Sequence, residues 1–237
     1  MRRRLLALAL PVLIGAPAVF LGTSGAAPKP VEFTDSRLKV EINATDGDAG
    51  LQLFLDGEAW NQVELLDPQG TPILDVDLTG QAEDYGLTEL VSESSEPPFE
   101  EFPLEQFQAL FPEGTYTFRG TTIDGTPMTG TASLTHDFPD GPEILSPLAD
   151  SRVGRDQVVV EWTPVTTPAG IDVTGYQVLV VQEEPVLRVF SADLPATTTR
   201  LPIPAEFLQP RTEYKVEVLA IESGGNQTLT ELAFRTR

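Results

Sequence analysis

The sequence contains no cysteine and a single histidine, His136. Without cysteine there is no disulfide framework and no thiol nucleophile, so an exported fold must depend on its hydrophobic core alone. Zinc sites are built mainly from clustered cysteine and histidine, and one histidine cannot form such a cluster. No Gly-x-Ser-x-Gly elbow and no phosphate-binding glycine loop accompanies it. The sequence therefore offers neither a hydrolase triad nor a nucleotide site.

Positive charge is also scarce. There are 15 lysine and arginine residues against 36 aspartate and glutamate residues, and the formal net charge is −21. A field of this sign repels nucleic acid and anionic membrane surfaces, and it attracts divalent cations and basic partners. We therefore expect no nucleic-acid partner. Solubility alone, or a partner of positive charge, accounts for the acidic excess.

Long apolar runs are absent except at the N-terminus. Three arginines at residues 2–4 precede an apolar run over residues 5–22, and residues 24–26, Ser-Gly-Ala, are small. This order is typical of a secretory signal peptide, with cleavage expected after Ala26. An uncleaved membrane anchor is the alternative, although the run falls just short of the roughly 20 residues that a spanning helix needs. We expect a periplasmic or secreted protein with no membrane span after cleavage.

Short apolar runs separated by turn residues dominate the first half of the chain. Residues 37–44 and 51–55 place apolar side chains at every second position, and residues 60–66 form a third run. Such runs are typical of β-strands. Asp56-Gly57 predicts a turn after the second run, and residues 67–70, Asp-Pro-Gln-Gly, predict another. The pattern favours a sandwich or barrel over alternating strands and helices.

Residues 81–103 interrupt this pattern with an acidic, proline-bearing segment, which we expect to be a loop. Pro103 then suits the first turn of one short helix, since apolar residues follow it at helical spacing. Asp124-Gly125 predicts a hairpin between the next two strands. Residues 137–142 contain two prolines and are expected to form a stiff linker.

The second half contains four strand-like segments. The last of them carries a tyrosine followed by an alternating run, and the second ends in a tryptophan before a threonine and a proline. In chain order the segments are residues 142–147, 158–164, 175–178 and 208–220. Together these residues resemble a fibronectin type III domain.

The resemblance implies that Trp162 and Tyr214 are buried, with the Tyr214 hydroxyl bonded to backbone in the preceding turn. It also implies a spacer or interaction module rather than an enzyme, although a fold alone does not determine function. In the first half, residues 111–118, followed by the Asp124-Gly125 hairpin, resemble the closing strands of bacterial immunoglobulin-like modules.

We therefore expect an all-β protein with two β-sandwich domains in tandem, the first with one short helix, after an N-terminal signal peptide. The expected bounds are 1–26 for the signal peptide, 30–138 for an immunoglobulin-like sandwich and 141–237 for a fibronectin type III-like sandwich.

Asp46 and Asp48 are the candidate metal ligands. They lie two residues apart in a glycine-rich turn, with Glu41 and Asn43 close by in the sequence. Calcium takes six to eight oxygen ligands, and this segment offers part of such a shell. The spacing of an EF-hand is not met, and a plain Asp/Gly turn is the alternative. Apart from calcium, no cofactor is expected.

The candidate binding residues are acidic and aromatic side chains of the expected loop: Glu93, Glu96, Phe99, Glu100 and Glu101. Long irregular loops on rigid sandwiches often carry function. We therefore expect a non-enzymatic exported binding protein that presents loops to a protein or polysaccharide partner. The alternative is a carboxylate-dependent hydrolase of extracellular polysaccharide, or its accessory subunit, because paired acids can hydrolyse glycosides.

Overall fold

The computed structural model describes residues 29–237, so the expected signal peptide lies outside the described residues. In chain order the elements are β1 (Val31–Glu32), β2 (Asp35–Asn43), β3 (Asp48–Leu66), β4 (Pro72–Asp77), α1 (Gln81–Tyr85), β5 (Leu87–Glu93), α2 (Leu104–Leu110), β6 (Gly114–Thr122), β7 (Pro127–Leu134), β8 (Ile144–Ser146), β9 (Arg152–Val153), β10 (Val159–Trp162), β11 (Val173–Gln182), β12 (Arg188–Pro195), β13 (Arg200–Pro202), β14 (Glu213–Glu222) and β15 (Gln227–Thr236). No helix within residues 29–237 is long and apolar enough to cross a membrane.

Strand β3 has different neighbours along its two halves. Its first half pairs with β2 and β5, and its second half pairs with β4 and β6. The predicted turn at Asp56-Gly57 is wrong, because the strand continues there through a register shift. A Cβ at Gly57 would lie 2.9 Å from Phe33 Cδ1 and 3.0 Å from Met128 Cε. The glycine therefore permits the close approach of these side chains instead of a chain reversal.

The prediction of a loop over residues 81–103 is wrong for its first part, which contains α1 and β5. Strand β5 pairs with β3 at the edge of the sheet. Only Leu90 of its apolar residues packs against the core, while Leu87 and Val91 are exposed. Because this edge strand buries so little, its sequence shows no clear alternation.

The first hydrophobic core lies between the strands that pair with the first half of β3 and those that pair with its second half. Trp60, Tyr116 and Phe118 are completely buried in it. Helix α2 contributes Phe107 to this core, which confirms the helix predicted after Pro103. Helix α1 is a second one that the sequence did not indicate, and it buries no side chain.

The second hydrophobic core lies between the three-stranded sheet β13-β10-β8 and the strands β15-β14-β11-β12. Trp162, Tyr176 and Tyr214 are buried there, as the sequence predicts for Trp162 and Tyr214. The rings of Trp162 and Tyr176 meet edge-on with centroids 5.4 Å apart. The Tyr214 hydroxyl accepts a hydrogen bond from the Gln209 N–H at 2.6 Å, which confirms the expected bond to the preceding turn. The all-β sandwich architecture is thus confirmed.

The two cores share one sheet. Strand β15 pairs in parallel with β2, with Gln227 opposite Glu41 and Leu229 opposite Asn43. The seven strands β5-β3-β2-β15-β14-β11-β12 are therefore continuous, and we call them the shared sheet. Asn226, at the turn before β15, accepts the Val40 N–H at 2.9 Å. Because the cores are joined in this way, the division into two domains with bounds 30–138 and 141–237 stays a prediction.

Candidate functional site

One end of the shared sheet carries a group of carboxylates, which we call the acidic cluster: Glu41, Asp48, Glu93 and Glu96. Glu41 lies on β2, Asp48 begins β3, and Glu93 ends β5. Carboxylate oxygens of Glu41, Glu93 and Glu96 lie within 4.8 Å of one another. Three side chains from two distant parts of the sequence, residue 41 and residues 93–96, thus converge on one point.

Gly50 makes room for the Glu96 side chain. It is the cross-strand partner of Glu41, and a Cβ at this position would overlap the Glu96 carboxyl group. The segment that carries Glu96 is fixed next to β3 by Ser94, whose N–H donates to the Leu51 carbonyl at 3.0 Å. The Ser94 hydroxyl oxygen accepts the Leu51 N–H at 2.9 Å. The Glu96 side chain therefore lies over Gly50 beside the sheet backbone while remaining exposed to solvent.

Amide side chains hold the other carboxylates. Gln52 donates from Nε2 to Glu93 Oε1 at 2.7 Å. Gln227, from the second half of the chain, donates to Glu41 in the same way. The Gln227 Oε1 accepts a hydrogen bond from Lys39 Nζ at 2.9 Å. The acidic cluster is therefore built from both halves of the chain.

Crowding of carboxylates raises their affinity for protons. Burial, followed by repulsion from Glu93, Asp48 and Glu41, raises the pKa of Glu96 to about 7. Burial also raises the pKa of Glu41, although the hydrogen bond from Gln227 opposes the shift. We therefore expect both the protonated and the ionised forms of Glu96 to be populated near neutral pH.

We expect the free energy of unfolding to fall as the pH rises from about 5 to about 8, because the folded state holds the Glu96 proton more tightly than the unfolded state does. The effect should end above the folded pKa, where Glu96 is ionised in both states. The Glu96→Gln variant should have a larger free energy of unfolding than wild type at the upper pH. At the lower pH the free energies of unfolding of the two proteins should be nearly equal. Urea unfolding at both pH values measures this difference. Glu100→Gln, which removes an exposed charge from the same segment, is the control; equal pH dependence in wild type and Glu96→Gln would contradict the prediction.

The predicted metal ligands are placed differently. Asp46 is exposed and its Oδ2 accepts the Asn43 side-chain amide at 3.2 Å, within a turn closed by Asn43 Oδ1. Asp48 joins the acidic cluster, and burial followed by repulsion from Asp46 raises its pKa. Carboxylates grouped in this way are ligands that calcium uses. Calcium at Asp46 and Asp48 stays a prediction.

The predicted binding residues divide into two groups. Glu93 and Glu96 come together in the acidic cluster. Phe99 packs against the first core, and its N–H donates to the Gly47 carbonyl at 2.7 Å. Glu100 and Glu101 are exposed in the turn that follows. The sequence identified this segment as acidic but gave no sign that Glu41 would meet it, because Glu41 lies on another strand.

The comparisons with known proteins place the second half of the chain. Residues 146–235 match the family model of the Fibronectin type III domain. The structure of the chicken CNTN1 FN1–FN3 domains is 14% identical with a TM-score of 0.34, and the match covers 89% of this chain and 66% of that one. A two-domain fibronectin type III segment of chicken tenascin is 15% identical with a TM-score of 0.31, covering 88% of this chain and 99% of that one. No curated protein matches the sequence.

The family match confirms the resemblance of the second half to fibronectin type III domains. The likeness of residues 30–138 to bacterial immunoglobulin-like modules stays a prediction.

Proposed function

We propose that the protein is an exported, non-enzymatic binding protein that presents loops on two β-sandwich units. Its recognition surface is the acidic segment of residues 93–101. The match of the second half to the fibronectin type III family supports this proposal, because such domains commonly act as extracellular interaction modules. The N-terminal arginines and apolar run support export.

The observation that carries the proposal is the anchoring of Phe99. Its N–H donates to the Gly47 carbonyl at 2.7 Å, and its ring packs against the first core. The carboxylates on either side, Glu96 and Glu100, are exposed. A segment already held in one shape loses little conformational entropy on binding. An ordered acidic surface of this kind suits a partner that carries positive charge.

The test compares two variants that each replace three carboxylates, at a pH of about 8.5, where Glu96, with a pKa of about 7, is ionised as well. One is Glu96→Gln/Glu100→Gln/Glu101→Gln in the recognition surface. The control replaces three exposed acids elsewhere, as Glu58→Gln/Asp75→Asn/Asp77→Asn. Binding of decalysine is measured by calorimetry, with circular dichroism to confirm the fold. We expect the first variant to bind about tenfold more weakly than the control, because only it loses the clustered charges.

Equal weakening in the two variants would show that net charge alone attracts the probe, and it would contradict the proposed surface. Failure of the wild-type protein to bind decalysine would do the same. Release of reducing sugar from a polysaccharide by the wild-type protein would instead support the alternative of a carboxylate-dependent hydrolase.

A further inference from the structure

A groove of about 830 Å³ opens on the shared sheet at the place where the pairing between β2 and β15 ends. Strand β15 pairs with β2 only opposite Glu41, Ile42 and Asn43, so the preceding stretch of β2 is hydrogen-bonded to a strand on one edge only, where β3 lies. Strand β7 packs beside it without pairing and also contributes to the lining of the groove. Residues of β11 and β12 form the opposite wall. Clefts of this volume between packed units are common places for ligands.

Two hydrogen-bonded pairs of an amide and a carboxylate lie in the walls of this groove. On the first wall, Gln52 donates to Glu93 at 2.7 Å from β3 to β5. On the opposite wall, Gln177 donates from Nε2 to Asp193 Oδ1 at 2.8 Å from β11 to β12. The Gln177–Asp193 pair uses one amide N–H and one carboxylate oxygen, so a second N–H and several acceptor oxygens remain there for a ligand. The Gln52 amide also bonds Glu41, so the Gln52–Glu93 pair offers a ligand mainly acceptor oxygens.

Lys39 lies between these two walls. It donates to Gln227 Oε1 at 2.9 Å, and an ammonium group has three N–H donors. Burial lowers the pKa of Lys39, while Glu93 and Asp193, from opposite walls, both favour its charged form. The groove thus has a central donor with planar donor–acceptor groups on either side.

The charge of the groove is balanced, unlike that of the whole protein. Arg37 and Lys39 lie in its lining together with Glu93 and Asp193. The Arg37 guanidinium covers the ring of Phe54 at 4.4 Å from its centroid. A strongly charged ligand would meet both signs here and gain little. The groove therefore suits a neutral ligand with many hydroxyl groups, because its planar amides and carboxylates can each bond adjacent hydroxyls.

We propose that this groove binds a neutral oligosaccharide, with hydroxyl groups bonded by the Gln52–Glu93 and Gln177–Asp193 pairs and by Lys39. The inference rests on the proposed function, a non-enzymatic binding protein, and names a ligand class for a groove that adjoins the acidic segment and shares Glu93 with it. An extended peptide is the competing occupant and is an outcome of the test below.

The test measures binding of cellohexaose, maltohexaose, mannohexaose and xylohexaose to the purified protein by calorimetry. At least one of these neutral hexasaccharides should bind. Gln177→Ala/Asp193→Ala should weaken that binding about tenfold or more, since it removes one pair and its remaining hydrogen bonds. Gln52→Ala, on the opposite wall, should weaken it as well. The matched control is Gln62→Ala/Asp77→Ala, a cross-strand amide and carboxylate on β3 and β4 outside the groove, which should bind as wild type does.

The proposal is overturned if none of the four hexasaccharides binds, or if Gln177→Ala/Asp193→Ala binds a hexasaccharide as tightly as the control does. It is also overturned if this variant loses binding of decalysine, an extended peptide, and not of a hexasaccharide. Decalysine binding is measured on the same variants. If it persists while hexasaccharide binding is absent, the proposed function stands and this inference fails. If hexasaccharides bind and decalysine does not, the recognition surface proposed at residues 93–101 is wrong, and the proposal that the groove binds an oligosaccharide stands.

Discussion

Replacing Asn226 by alanine is expected to lower the free energy of unfolding by about 3 kcal/mol, because it leaves the buried Val40 N–H and two backbone carbonyls without their partner. Asn226 is 2% exposed. Its Oδ1 accepts the Val40 N–H at 2.9 Å, and its Nδ2 donates to the Thr135 and Asp137 carbonyls at 3.0 and 3.3 Å. One side chain therefore satisfies polar groups of both β2 and the segment after β7. Urea unfolding followed by tryptophan fluorescence measures the loss.

The two tryptophans make this experiment more informative, because Trp60 lies in the first core and Trp162 in the second. Single variants Trp60→Phe and Trp162→Phe, each combined with Asn226→Ala, report the two cores separately. We expect the two unfolding transitions to separate once the link is lost. Asn61→Ala, half-buried in the part of β3 that pairs with β4 and β6, is the control and should cost much less. If Asn226→Ala costs no more than Asn61→Ala, the link does not contribute to stability.

The sequence predicts those parts of the fold that depend on neighbouring residues. A strand that is half-buried shows alternation over a few positions, and a tight turn needs particular residues at particular places. This is why the Asp67-Pro68 turn and the Asp124-Gly125 hairpin could be predicted, whereas the burial of Trp162 was predicted from the resemblance to fibronectin type III domains. Gly70 and Gly125 both adopt positive φ, at 82° and 84°, as such turns require.

The shared sheet could not be predicted in this way. Glu41 and Gln227 are 186 positions apart, and parallel pairing over three residues leaves no local pattern in either strand. Asn226 follows two glycines and is therefore read as an ordinary turn residue. Its burial becomes evident only once β2 lies beside it. Residues 137–142 likewise resemble a linker between separate domains, because nothing in their sequence shows that β2 and β15 pair.

The acidic cluster shows the same limit at the level of the site. The acids of residues 93–101 are evident in the sequence, but their position over Gly50 depends on β5 pairing with β3. The rise in the pKa of Glu96 follows from that position, because burial is its largest cause. Composition thus indicates which residues carry charge, and strand pairing determines which charges meet.

Replacing Tyr214 by alanine is expected to lower the free energy of unfolding by about 4 kcal/mol, since it leaves a large cavity in the second core. Its ring stacks on Phe234 with centroids 5.7 Å apart. Tyr214→Phe keeps this packing and removes only the hydroxyl that accepts the Gln209 N–H, so we expect a loss of about 1–2 kcal/mol. Tyr85→Ala, at a residue that is 86% exposed, should change stability little. Urea unfolding of the three variants therefore separates packing from hydrogen bonding. If Tyr214→Phe is as stable as wild type, the hydrogen bond from the Gln209 N–H does not contribute to stability. The packing of the ring alone would then account for the stabilising effect of Tyr214.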